Sequence, residues 1–115
     1  MPPLPARGEI WTADLNPVRG HEQAGQRPVL IVSTDQLNHG PAGVVFVIPL
    51  TRTPRTNPFF IPIAPPEGGV RTPSYAICTA LRSISVERLN GAPWGVVSAA
   101  TLASIGDRLR MLIEL

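Results

Sequence analysis

The sequence predicts a mostly β domain, a small antiparallel barrel or half-open sheet with one helix at its C-terminal end. Three observations carry this reading. Fourteen prolines and ten glycines in 115 residues cut the chain into short pieces with turn chemistry between them. The apolar pieces are rich in valine and isoleucine, which favour strands. Only the last stretch repeats apolar residues at three- and four-residue steps, at Leu102, Ile105, Leu109 and Leu112. The βαβ alternation of a parallel sheet is missing, and so is a glycine-rich phosphate loop between a strand and a helix.

Taken in order, the elements are these. Gly8–Asp14 carries Ile10 and Trp11 and reads as the first strand. Leu15–Arg27 contains Asn16-Pro17, Gly20 and Gly25 and reads as a long connecting loop. Pro28–Ser33 is continuously apolar, as expected of a strand buried on both faces. Thr34–Gly43 suits a short helical turn, and Val44–Leu50 is a third strand. Thr51 then falls where that strand meets the polar, proline-punctuated stretch to Pro58. Phe59–Ile63 is a fourth strand, at an edge because Pro62 has no N–H for a ladder. Pro65–Pro73 is a loop, and Tyr75–Leu81 a fifth strand running into Arg82–Ser85. Pro93–Val97 reads as a last short strand. Ser98 can cap the terminal helix, whose middle Gly106 weakens by about 1 kcal/mol relative to alanine.

Composition narrows the class. With 43% hydrophobic residues and a mean hydropathy of +0.13, the 12.3 kDa chain can bury a core and is not disordered. Its longest apolar runs, such as Gly43–Leu50, fall far short of the roughly 20 residues of a membrane span. The stretch from Met1 to Arg7 lacks the apolar segment of a secretory signal. One cysteine, Cys78, excludes an internal disulfide framework and reads as an inert buried thiol. The expectation is one cytoplasmic domain over residues 1–115, with no membrane partner.

All ten basic residues are arginine, and the formal net charge is +2. GC-rich codon usage alone produces such a bias. Arginine's planar fork nevertheless suits phosphate and stacks on bases, so an anionic partner fits. Metal chemistry has little to build on: His21 and His39 are the only histidines, no C-x-x-C pair exists, and the eight carboxylates stand singly. No metal and no cofactor is expected. A G-x-S-x-G elbow is also absent.

The informative stretch is Gly20-His21-Glu22-Gln23-Ala24-Gly25-Gln26-Arg27-Pro28, just before the buried strand. Together with Arg7-Gly8-Glu9-Ile10-Trp11, Pro49-Leu50-Thr51, Leu81-Arg82-Ser83-Ile84-Ser85 and Arg88-Leu89, it resembles the MazF/PemK family of toxin endoribonucleases. The resemblance implies an SH3-like barrel of five to seven mainly antiparallel strands that forms a two-fold homodimer. It implies metal-independent, sequence-specific cleavage of single-stranded RNA, leaving a 2′,3′-cyclic phosphate and a 5′-hydroxyl. Arg27 and Thr51 take the positions of the family's catalytic arginine and threonine. The expected partner is an acidic, MazE-like antitoxin with a disordered tail, and operator DNA is met only through that complex.

Chemistry agrees with these residue types. Arg27 can place two charge-assisted hydrogen bonds on a phosphoryl group, and Thr51 can donate one more. Arginine is a poor proton carrier, so electrostatic stabilisation is its first role. Glu22 either orients Arg27, serves as a base, or braces its loop. Gln23, His21, Arg82 and Arg52 are candidate RNA contacts. Relatives often carry an amide or acid where this chain has Ala80, and Thr79 can take over part of that contact. Trp11 and Trp94 can stack bases, though core or dimer packing is the first expectation for both. The bland readings elsewhere are a surface ion pair for Arg27, a strand end for Thr51 and a solvated turn for His39. Two other functions compete: a non-enzymatic gyrase poison on the same barrel, as in the CcdB relatives, and an inactive RNA- or antitoxin-binding module. The E-Q-x-G-x-R-P element with Thr51 favours the ribonuclease.

Overall fold

A computed structural model describes residues 4–16 and 25–115. Seven strands form one antiparallel sheet: β1 (Glu9–Asp14), β2 (Gln26–Ile31), β3 (Val44–Thr51), β4 (Phe60–Ile63), β5 (Ser74–Ile77), β6 (Arg82–Ser85) and β7 (Leu89–Val96). A four-residue helix, α1 (Asp35–Asn38), joins β2 to β3, and the chain ends in α2 (Ala99–Ile113). The order across the sheet is β4-β5-β3-β2-β1-β7, with β6 also paired to β3. β4 is therefore at an edge, as Pro62 requires.

The valine- and isoleucine-rich strands are buried on both faces because alternate residues feed two cores. Ile10, Leu30, Ile48 and Leu50 join Ile61, Ile63 and Ile105 in one cluster, with Leu102 and Leu109 of α2 packed against it. Trp11, Ala13, Val29, Ile31, Val45 and Val47 form the other, with Ile84 of β6. Trp11 is thus a core residue. Cys78 is buried in the first cluster, and that burial pushes its thiol up to about 11 despite the opposing pull of Arg108.

Strand β3 is the hinge of the architecture. Its first half, Val44–Val47, pairs with β6, its middle, Val47–Pro49, pairs with β2, and its end, Leu50-Thr51, pairs with Ala76 and Tyr75 of β5. The β2 ladder stops at Val29 opposite Pro49, a residue with no N–H to donate. Beyond it, the start of β2 and the end of β3 are free to part.

Three elements differ from the sequence reading. Gln26 and Arg27 belong to β2, where Arg27 pairs with Ala13, so the strand starts two residues before Pro28. The expected strand Tyr75–Leu81 breaks after Ile77 into a 3-10 turn, Cys78–Ala80, before β6. The last strand is longer than Pro93–Val97: it begins at Leu89 and pairs with β1 across a register shift between Ile10 and Thr12. Such irregularity hides the alternation by which a strand is read. The terminal helix starts as expected, with the Ser98 side chain accepting from the Thr101 N–H.

Candidate active site

The splayed ends of β2 and β3 carry the site. Carrying the β2–β3 register two residues beyond Val29 and Pro49 sets Arg27 against Thr51. Both residues are half-buried, and both line each of two adjoining clefts. The first, about 920 Å³, adds Arg55, Thr79 and Arg82 to the pair. The second, about 1060 Å³, adds Arg52, Arg71 and Trp94. Arg27 and Thr51 therefore form a saddle between two open grooves.

The charge of the saddle is of one sign. Arg27, Arg52, Arg55, Arg71 and Arg82, five of the chain's ten arginines, line the two clefts. No aspartate, glutamate or histidine lines either cleft among the described residues. Arg82 lines the first cleft, and its Nη1 is buried with no hydrogen-bond partner among the described residues. Its backbone position opposite Val47 sets it on the same side of the sheet as Arg27.

The Thr51 hydroxyl is oriented by the chain that follows it. Its oxygen accepts a hydrogen bond from the Thr53 N–H at 3.2 Å, which leaves the hydroxyl hydrogen to donate elsewhere. The approach to Arg27 is held from behind. Leu15 N–H donates to the Gly25 carbonyl at 3.0 Å, and Gly25 N–H donates to Asn16 Oδ1 at 3.1 Å. Arg88 Nη1 donates to the carbonyl of Asp14 at 3.0 Å and also to that of Asn16. Asn90 Nδ2 donates to Gln26 Oε1 at 2.9 Å, beside Arg27.

Of the sequence-based candidates, Arg27, Thr51, Thr79 and Arg82 come together on the first cleft, and Arg52 stands on the second. Thr79 reaches its place on the 3-10 turn rather than on a strand. His21, Glu22 and Gln23 lie outside the described residues. His39 is an exposed turn residue, its Nε2 2.8 Å from the Pro5 carbonyl. Two cleft residues were not singled out as ligand contacts, since Arg71 and Arg55 sit in loops without a pattern around them. For Trp94, core or dimer packing was expected ahead of base stacking. In the single chain Trp94 is 44% exposed on the second cleft, which excludes the core. Among the described residues, no three His, Cys, Asp or Glu side chains gather in a metal-holding group. No helix is long and apolar enough to cross a membrane.

A small antiparallel β-fold with a C-terminal helix and an arginine-lined double cleft over an Arg–Thr pair defines a class of protein built to hold a polyanion. The comparisons make the class specific: residues 6–113 match the family described as PemK-like, MazF-like toxin of type II toxin-antitoxin system, and the chain belongs to that family. It is 38% identical over 114 residues to the endoribonuclease MazF9 of Mycobacterium tuberculosis, covering 95% of this chain and 96% of that one. The solved structure of MazF from Deinococcus radiodurans superposes with a TM-score of 0.87 at 23% identity, covering 98% of this chain and 99% of the other, a likeness of fold. A mycobacterial endoribonuclease solved with its cognate antitoxin is 27% identical, with a TM-score of 0.78 and 96% of each chain covered.

Proposed function

We propose that this chain is the endoribonuclease toxin of its toxin–antitoxin pair, a metal-independent enzyme that cuts single-stranded mRNA and so arrests growth. The whole of residues 1–115 acts as one toxin domain, in the cytoplasm and as a homodimer. The observation that carries the reading is the position of Arg27 and Thr51 on the saddle shared by both clefts. An RNA strand running from one groove to the other has to pass a phosphate over that pair.

The reaction is an in-line displacement. The ribose 2′-oxygen attacks the adjacent phosphorus as its proton leaves, and the bond to the 5′-oxygen breaks as that oxygen gains a proton. The products are a 2′,3′-cyclic phosphate and a 5′-hydroxyl. Arg27 stabilises the charge on the non-bridging oxygens with paired N–H donors, and Thr51 donates its hydroxyl hydrogen to the same group. Arg82, Arg55 and Thr79 hold the strand in one groove, and Arg52 holds it in the other. The described cleft walls offer no carboxylate or imidazole, and Glu22 is the candidate proton acceptor, with His21 and Gln23 as further RNA contacts. An acidic antitoxin with a disordered tail fits the same arginine-lined grooves. Operator DNA is then met only by the toxin–antitoxin complex.

The test is cleavage of a long, mixed-sequence RNA in EDTA. The wild type should yield discrete fragments with 5′-hydroxyl ends. Replacing one transition-state donor costs about 10²–10³-fold, so Thr51→Ala should fall by that amount and Arg27→Ala, which loses two, by at least as much. Intact RNA after incubation with folded wild-type protein, or cleavage by Arg27→Ala at the wild-type rate, would overturn the reading.

A further inference from the structure

We infer that Trp94 is a base-stacking platform, so that the second cleft is a nucleotide subsite next to the scissile phosphate. This rests on the ribonuclease reading and extends it to a specificity-determining residue. Among the described residues Trp94 is the one aromatic side chain lining that cleft, which it shares with Arg27 and Thr51. Its ring is held rather than loose: the indole Nε1–H donates to Thr12 Oγ1 at 3.1 Å, and Thr12 pairs with Pro28, another residue of the cleft wall. With that N–H engaged, the ring offers its face and no hydrogen-bond donor.

The backbone beneath Trp94 is fixed as well. A Cβ on Gly69, whose φ is +81°, would lie 2.3 Å from the Trp94 carbonyl oxygen. A Cβ on Gly95 would lie 2.8 Å from the Gly68 carbonyl carbon. The Gly68-Gly69 turn is therefore pressed against β7 where the tryptophan leaves it. Arg71 and Arg52 stand on the same cleft and supply phosphate contacts for the stacked nucleotide. An aromatic face flanked by arginines, with no carboxylate on the wall among the described residues, is the chemistry that binds single-stranded nucleic acid. Because recognition is by a face alone, the subsite prefers purines, which present the larger π surface, and does not distinguish adenine from guanine.

The experiment uses an RNA oligonucleotide that the wild type cleaves, and measures kcat and KM for wild type, Trp94→Phe, Trp94→Ala and Arg71→Ala. Trp94→Ala should raise KM roughly 10- to 100-fold, the loss falling on KM rather than kcat, and Trp94→Phe should restore most of it. Arg71→Ala should raise KM by a smaller factor and flatten its salt dependence. An abasic site placed in turn at each position flanking the cut should, at one position only, weaken binding to the wild type and leave Trp94→Ala unaffected. In parallel, the same oligonucleotide with a 2′-deoxy residue at the cut should quench Trp94 fluorescence, with Trp94→Phe as the blank for buried Trp11. Wild-type kcat/KM in Trp94→Ala, or the absence of any abasic position that discriminates the two proteins, would overturn the inference. Failure of the wild type to cut any RNA would fall on the ribonuclease reading, and titration of wild type and Trp94→Phe with an uncleaved mixed-sequence single-stranded RNA, read by the same quench, would then decide the stacking.

Discussion

Thr51 can both accept and donate through one hydroxyl, and the backbone has taken the accepting side. Thr53 N–H supplies that bond at 3.2 Å, so the hydroxyl hydrogen is aimed away from the loop. In the proposed mechanism it is the donor, rather than the methyl group, that acts on the phosphoryl group. Thr51→Ser should therefore stay within about tenfold of wild-type kcat. Thr51→Val, which keeps the shape and removes the donor, should lose about 10²–10³-fold. Single-turnover cleavage of a defined RNA checks this, and equal losses in the two variants would mean that Thr51 acts through packing alone. At this scale the sequence was most legible. Arg27 and Thr51 stand out because their surroundings are patterned, and Cys78 and His39 are where a buried thiol and a solvated turn were expected. For Trp94 the sequence left packing and base stacking both open, because whether a tryptophan on β7 faces core or cleft depends on a register shift that single-residue chemistry does not encode. Arg88 belongs with it, since its partners are carbonyls more than seventy positions away in the chain.

Among the elements, the join between the Pro65–Pro73 loop and α2 controls the acid side of the stability profile. Glu67 Oε2 accepts from the Ser98 N–H at 3.0 Å and from the Thr101 hydroxyl at 2.5 Å, tying the loop to the first turn of the helix. Partial desolvation is the largest single influence on its carboxyl and pushes it upward. The bonds from Thr101 and Ser98 together outweigh it and hold the group below its ordinary value. A depressed carboxylate contributes stability that is complete above the unfolded value, about 4.3 for glutamate, and is lost as pH falls through the folded one. Asp35 acts the same way, lowered first by the backbone N–H of Arg7 and then by Asn38. Wild type should thus lose thermal stability as pH falls from about 5 to 3. Glu67→Gln should be less stable at pH 7 and show a shallower fall, with Asp35 supplying part of the remaining slope. Calorimetry across that range decides it, and parallel profiles would show that the Glu67 contacts do not matter to folding. Ser98 was readable as a cap because capping is local; its link to Glu67 spans thirty-one positions and was not. The break of the fifth strand at Cys78–Ala80 escaped for a related reason. Its sequence is apolar enough for a strand, and what turns it is the need to pass from the end of β3 back to its start.

For the whole molecule, the charge and the apolar surface fall on different features. Five arginines among the described residues line the clefts, while α2 carries apolar side chains past the edge of the core. Leu102, Ile105 and Leu109 are packed within, but Met111, Leu112, Ile113 and Leu115 are exposed on the single chain, Ile113 by 57% and Leu115 by 85%. Lone apolar residues on a surface need no explanation, whereas four within the last five positions make a patch that water penalises. We propose this end of α2 as a seam of the homodimer; there it would meet its symmetry mate, and every substitution in it would count twice. Each large aliphatic side chain removed from an interface forfeits about 1.5–3 kcal/mol, and a buried carboxylate in its place adds a further cost. Leu112→Glu combined with Ile113→Glu should weaken dimerisation by well over about 100-fold. The far-UV circular dichroism should stay unchanged, because both residues are exposed in the monomer and outside its core. Light scattering on micromolar samples should then give a dimer for wild type and a monomer for the double variant. A wild type that is monomeric at that concentration would count against the homodimer itself. A double variant that remains dimeric would leave the homodimer standing and move its seam away from α2, to the exposed apolar side chains of the strands, Phe46 on β3 and Val96 on β7.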